Sequence, residues 1–279
     1  MWPFLLLILS AVPVFAESPP LAIELAGEGD HPAAALEFRR LGLGASGAAR
    51  GGYYWASAYE YWKAGKYDLA DKMLNRAEDA APMLGTRAVL LRGERALSAR
   101  DYREAAFYWE TVLHSPADAD ARSLAARRLA VTRLRENDAA RAREALLAAP
   151  TKHDDGLAAL DRYTAGRDKN PKLGGWLGAV PGLGYFYAGE WANGLRSIIL
   201  NGLFLYGMAD TADREQWGAF AVITFFEFTW YSGSIYGGID ASHRYNRRRL
   251  EDAVAGVDGG AKFEPDFSQL PVVTLQFRF

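Results

Sequence analysis

Residues 65–82 read GKYDLADKMLNRAEDAAP, residues 99–116 read ARDYREAAFYWETVLHSP, and residues 137–150 read NDAARAREALLAAP. Each stretch opens in a small or polar turn and passes through an Ala-rich run with apolar residues at helical spacing. Each then stops at a proline, which has no N–H with which to continue helical hydrogen bonding. The closing prolines, Pro82, Pro116 and Pro150, recur at intervals of 34 residues. A period of that size marks a stack of similar supersecondary units, because one such unit cannot bury its apolar face alone.

The segments before these stretches complete the pattern. Helices are predicted over 84–99, with Leu90, Leu91 and Leu97 on an inner face, and over 120–135, with Leu124, Leu129, Val131 and Leu134. Ahead of Gly65, the residues Tyr54, Trp55, Tyr59 and Trp62 form an aromatic ridge at intervals of three and four. Leu69, Met73, Leu74 and Ala77 repeat that spacing in the next segment. On these residues the stretch from about 50 to 150 resembles the tetratricopeptide repeat family, whose unit is a 34-residue helix pair. The matches to its second helix are Tyr67, Ala70, Leu74, Ala77 and Pro82, then Tyr102, Ala105, Trp109, Val112 and Pro116 with a one-residue slip, then Ala145 and Pro150. The resemblance implies an all-α helical solenoid over 30–150 whose concave side takes a peptide or partner protein. Its first helices would present Tyr53, Tyr54, Arg87, Arg92, Arg95 and Arg127 as a basic and aromatic groove. The plainer reading is that these arginines are a solvated face and the tyrosines pack between repeats.

Composition narrows the function classes. The chain has 279 residues, a formal charge of −2 and no cysteine. Disulfides, thiolate metal sites and cysteine nucleophiles are therefore excluded, and there is no basic excess of the kind that nucleic-acid binding uses. His31, His114, His153 and His243 have no metal-ligand spacing, and no Gly-x-Ser-x-Gly or similar context surrounds a nucleophile. The sequence thus reads as a non-enzyme without cofactor or metal. Residues 1–16, MWPFLLLILSAVPVFA, have the shape of a secretory signal, with an uncleaved anchor as the alternative; 17–29 would link it to the repeats.

Past a linker at 151–172 the character changes. Residues 173–189 (LGGWLGAVPGLGYFYAG) contain no formal charge, but Pro181 and several glycines argue for a broken or interfacial helix. Residues 191–208 carry only Arg196, and 217–239 carry only Glu227, with a polar turn between them, so the two read as a transmembrane-type hairpin. An ionised carboxylate alone in lipid is costly, so Glu227 is expected to be protonated, turned inward, or paired with Arg196. Pro181, Gly182, Gly184, Tyr187 and Gly189, followed by Gly194, resemble a bacterial two-span membrane module with a Pro-Gly-x-Gly, aromatic, Gly pattern, covering about 174–246. That resemblance implies membrane placement and no reaction. A phosphate loop is rejected, since no Lys-Ser or Lys-Thr follows and no strand precedes.

Topology is contested within the sequence. Arg162, Arg167, Lys169 and Lys172 precede the hairpin and Arg244, Arg247, Arg248 and Arg249 follow it, so charge bias places both flanks in the cytoplasm. An export signal places the repeats outside. An outer-membrane location is one resolution, and the tail suggests it: after a linker at 247–271, residues 272–279 (VVTLQFRF) alternate as a β-strand suited to pairing with a partner sheet. The reading favoured is a bacterial envelope scaffold or assembly factor, with membrane-associated C-terminal helices (173–246), periplasmic repeats, and envelope proteins and lipid as partners. Its competitors are a small transport component using Glu227 and Arg196, and a soluble periplasmic adaptor with a hydrophobic docking domain.

Overall fold

The computed structural model describes residues 20–265 and 267, so the export signal at 1–16 and the strand at 272–279 lie outside the described residues. Among the described residues the chain is all-α and contains no strand. The helices are α1 (Pro20–Gly27), α2 (His31–Gly44), α3 (Gly47–Lys63), α4 (Tyr67–Ala80), α5 (Gly85–Ser98), α6 (Tyr102–Leu113) and α7 (Ala119–Arg135). They continue as α8 (Ala139–Leu147), α9 (Asp154–Ala165), α10 (Pro171–Gly178), α11 (Leu183–Tyr187), α12 (Trp191–Asp213) and α13 (Trp217–Asp258). Two units emerge, one of residues 1–125 with 262–279 and one of residues 126–261.

In the first unit each helix from α1 to α5 packs on its successor in sequence. The turns that reverse the chain share one device. Gly65, Arg100 and, at the equivalent turn after α7, Asn137 all take positive φ. The next residue then donates to a carbonyl five positions back: Lys66 N to Tyr61 O, Asp101 N to Ala96 O, and Asp138 N to Arg133 O. This left-handed closure satisfies carbonyls at the end of one helix. Asp101 and Asp138 then cap the following helix by accepting from Glu104 N and Arg141 N at 3.0 Å. The core is built from bulky side chains: Trp109, Tyr53 and Phe38 are each 0% exposed, and Leu74, Leu91 and Val112 are buried as well.

The second unit is organised along α13, against which α9, α10, α11 and α12 all pack. Here the stretch expected to be a linker at 151–172 contains α9, because Ala159 and Leu160 give it a short buried face. The linker expected from 247 is likewise helical as far as Asp258: no breaker interrupts α13 until Gly259, which takes the left-handed conformation that ends it. The transmembrane-type reading needs a correction. No helix among the described residues is long and apolar enough to cross a membrane. Length is not what α12 and α13 lack; Asn193, Arg196 and Asn201 interrupt the apolarity of α12, and Glu227, Thr229, Ser232 and Ser234 that of the first half of α13.

Candidate functional site

Two surfaces bear on the sequence expectations, one in each unit. In the first, the aromatic ridge of α3 behaves as its spacing predicts: Trp55 stacks on Tyr59 at 6.0 Å between ring centroids, and Tyr59 lies 5.4 Å from Trp62. The ridge is covered by residues that the sequence assigned to a linker. Phe263 packs edge-on against Trp55 at 6.0 Å, and Phe267 contacts Phe38 at 5.1 Å and Tyr59 at 5.8 Å. Burial, followed by the nearby Glu60 and Glu264 carboxylates, pushes the Tyr59 hydroxyl up to about 12. Next to this seat lies a cavity of about 430 Å3 bordered by Trp55, Met83, Thr86, Arg87 and Leu90. Trp55 is only 5% exposed, yet its indole N–H has no acceptor among the described residues.

The groove residues expected from sequence divide sharply. Tyr53 and Tyr54 are core residues. Arg92 forms a two-pronged pair with Glu78 and also donates to Asn75, and Arg95 is held by Glu104 and Asp71. Arg127 belongs to the second unit, where it bonds Asp155 and the Val257 carbonyl. Arg87 alone of the six borders the cavity. The physical reason is that carboxylates on neighbouring helices, invisible to a single-helix reading, neutralise the other arginines in this unit. A polar link also went unforeseen: His31 Nδ1 meets Glu60 Oε2 at 2.7 Å, and burial holds the Glu60 carboxyl above its ordinary value despite that bond.

In the second unit the motif glycines explain themselves. Gly182 has φ +87°, and an added Cβ would lie 2.5 Å from the Gly194 carbonyl oxygen; one on Gly194 would lie 2.3 Å from the Phe186 ring. Pro181 precedes this turn, Gly189 (φ +76°) ends α11, and the Tyr187 hydroxyl accepts from Asn170 N at 2.9 Å. Around α13 the contacts are backbone to backbone. A Cβ on Gly238 would meet Gly174 O at 2.2 Å, one on Gly184 the same oxygen at 2.5 Å, and one on Gly178 Ser234 O at 2.6 Å. Only glycine permits such approach.

The buried residues of the hairpin are small or polar: Gly194, Ser197, Asn201 and Thr211 on α12, and Glu227, Ser234, Gly238, Ala241 and Ser242 in the part of α13 that follows the turn. Large apolar residues point outward, including Leu203 at 62%, Phe225 at 68% and Phe228 at 73% exposed. The expected pair of Arg196 with Glu227 is not formed among the described residues. Ser197 Oγ meets Ser234 Oγ at 3.2 Å, which fixes the register of the two helices and puts Arg196 beside that contact. Glu227 is then about two turns, roughly 10 Å, further along α13. Its carboxylate is buried, and Oε2 has no hydrogen-bond partner among the described residues, whereas Arg196 is exposed and borders a separate cavity of about 320 Å3 with Tyr185, Ser197 and Trp230. The ionic contact sequence reasoning missed is at the start of α12. Glu190 accepts from Arg244 Nε at 2.8 Å and Nη2 at 2.7 Å, which holds its carboxyl below the ordinary range.

Comparison with known proteins finds no matching family model, no matching curated protein and no matching solved structure. The two family resemblances therefore rest on the residues and motifs quoted above.

Proposed function

We propose that the chain is a non-enzymatic envelope scaffold, in which the serial helix pairs recruit a partner protein and the α12–α13 hairpin seats in lipid. The observation that carries this reading is the inverted burial of the hairpin. In water, large side chains gain about 1.5–3 kcal/mol each by being buried, and the hairpin leaves them outside while it buries glycine, serine and asparagine. Small residues inside and large apolar residues outside is the arrangement favoured when the surroundings are themselves apolar. Tryptophans support the same reading: Trp191 opens α12, Trp217 opens α13 at the other end of the hairpin, and Trp176 and Trp191 are 81% and 70% exposed. Arg244 and Arg248 both meet Glu190, the residue before Trp191, so basic side chains stand at that end of the hairpin, where they would meet headgroups.

The reading does not require α12 or α13 to cross the bilayer. A hairpin buried to the depth of its outer face satisfies the same surface. Flotation of the full chain with phosphatidylcholine vesicles, with resistance to carbonate extraction, is the expected result. Crosslinking in cells followed by mass spectrometry should then place a second protein on the repeats. Recovery of a monomer that remains in the aqueous fraction, with no partner crosslinked, overturns the proposal; flotation lost in favour of a tight protein complex through the same face makes the hairpin a protein-docking element instead.

A further inference from the structure

We infer that the ridge of α3 is a peptide-binding site for a segment with two aromatic side chains four residues apart, and that residues 262–267 are its exchangeable occupant within the chain. The inference rests on the reading of the repeats as a partner-recruiting unit and specifies what they recruit. Phe263 and Phe267 supply the two side chains. Phe263 joins the cluster formed by Trp55, Tyr59 and Leu91, and Phe267 lies against both that cluster and the one containing Phe38, Leu41 and Tyr53. The Tyr59 hydroxyl donates to the Phe263 carbonyl at 3.3 Å. Residues 261–265 have no regular secondary structure, so what lies on the ridge there is not another helix of the stack.

The occupant fits the site incompletely. The 430 Å3 cavity runs along Phe263, Glu264 and Pro265, and Met83 at its border is 80% exposed, so its apolar surface is left uncovered there. The buried Trp55 N–H is a second deficit: a donor withdrawn from water that finds no acceptor among the described residues. A segment joined covalently to α13 needs little intrinsic affinity, because tethering supplies a high effective concentration. A free peptide that presents the same aromatic pair, fills the cavity and offers a carbonyl to Trp55 gains contacts that residues 262–267 lack. Exchange would also uncover Tyr59, whose hydroxyl is raised to about 12 by burial and, among other charges, by Glu264 of the segment itself.

The test uses the full chain and a fluorescently labelled peptide of the sequence KFEPDFSQLP, which corresponds to residues 262–271. Fluorescence anisotropy should show weak binding to the unaltered chain and binding at least tenfold tighter to F263A/F267A, whose own occupant is impaired. The same peptide with both phenylalanines replaced by alanine should bind neither. In the double variant the Tyr59 titration should move from about 12 toward the ordinary tyrosine value of 10.0. Absence of peptide binding by a variant that keeps its helical circular dichroism overturns the inference. Loss of that helical signal overturns it as well, since the segment would then be an integral part of the core. If the peptide fails while crosslinking still finds a partner on the repeats, recruitment stands and this site does not; if both fail, the proposed function falls with it.

Discussion

The first unit hides its largest side chains and the second displays them. Trp109, Tyr53 and Phe38 are fully buried in the former, whereas Trp191, Phe228 and Tyr206 are about 70% or more exposed in the latter. Glycine does opposite work in the two. In α5, Gly93 makes room for a side chain, since its Cβ would lie 2.6 Å from the Trp109 ring; in α13, Gly238 makes room for the backbone of α10. Both units are all-α, and both follow from the same rule that apolar surface leaves water. The difference teaches that the first unit covers its large apolar side chains itself, whereas the second leaves them for its surroundings, which the proposed function takes to be lipid.

The largest effect should come from removing the side chain at the centre of the first unit. Trp109→Ala should cost about 4 kcal/mol, because a fully buried ring is lost and only partly replaced by relaxation. Urea unfolding followed by circular dichroism should show an early transition for the repeats, with the hairpin helices persisting beyond it. A single transition that moves as a whole would show that the two units do not respond separately. Gly238→Val attacks the corresponding point of the second unit, and should cost about 3 kcal/mol because the new Cβ meets backbone atoms that cannot swing away. Here the order of loss is reversed, with the hairpin released and the repeats retained.

How much of this was legible beforehand follows from how local each cause is. Helix ends set by prolines and turns could be read closely: α5 spans 85–98 where 84–99 is predicted, and α7 spans 119–135 where 120–135 is predicted. The motif glycines at 182, 184 and 194 could be read as close-approach positions because no other role suits them in an apolar stretch. The arginines could not be assigned, since what decides Arg92 and Arg95 are Glu78 and Glu104 on adjacent helices. Phe263 and Phe267 carried no signal either, as two aromatics past a glycine pair look like linker until the ridge they cover is known. For the hairpin, the helical spacing of Gly194, Ser197 and Asn201 along α12, and of Glu227, Ser234 and Gly238 along α13, was a usable sign of which faces turn inward. Pairing Arg196 with Glu227 ignored that spacing.

The units should also part in their response to acid. Glu190 is held below its ordinary value of 4.5 chiefly by Arg244, so its contribution is complete above 4.5 and drains as pH falls through the lowered value of the folded state. Glu60 is raised, first by burial, so its contribution is complete below 4.5 and is lost as pH rises through its folded value. Glu190→Gln should therefore cost the second unit about 1–2 kcal/mol at neutral pH and flatten its acid limb. Glu60→Gln should flatten the opposite slope in the first unit. Urea midpoints measured between pH 3 and pH 7 separate the two, and parallel slopes in both units would contradict the assignment.

The smallest effect on stability should accompany a large effect on location. Leu203, Phe225 and Phe228 are all more than 60% exposed and contribute little to the interior of the hairpin. Changing all three to serine should shift the unfolding free energy in mild detergent by no more than about 0.5 kcal/mol per site, as expected of surface positions. Each large side chain moved from water into lipid is worth about 1.5–3 kcal/mol, so partition into phosphatidylcholine vesicles should fall well beyond tenfold. The two measurements must diverge if the outer face is the working face. Stability lost by several kcal/mol, with vesicle partition unchanged, would mean that these side chains pack inside a water-soluble assembly, and the contrast between the units would reduce to one of partner rather than of solvent.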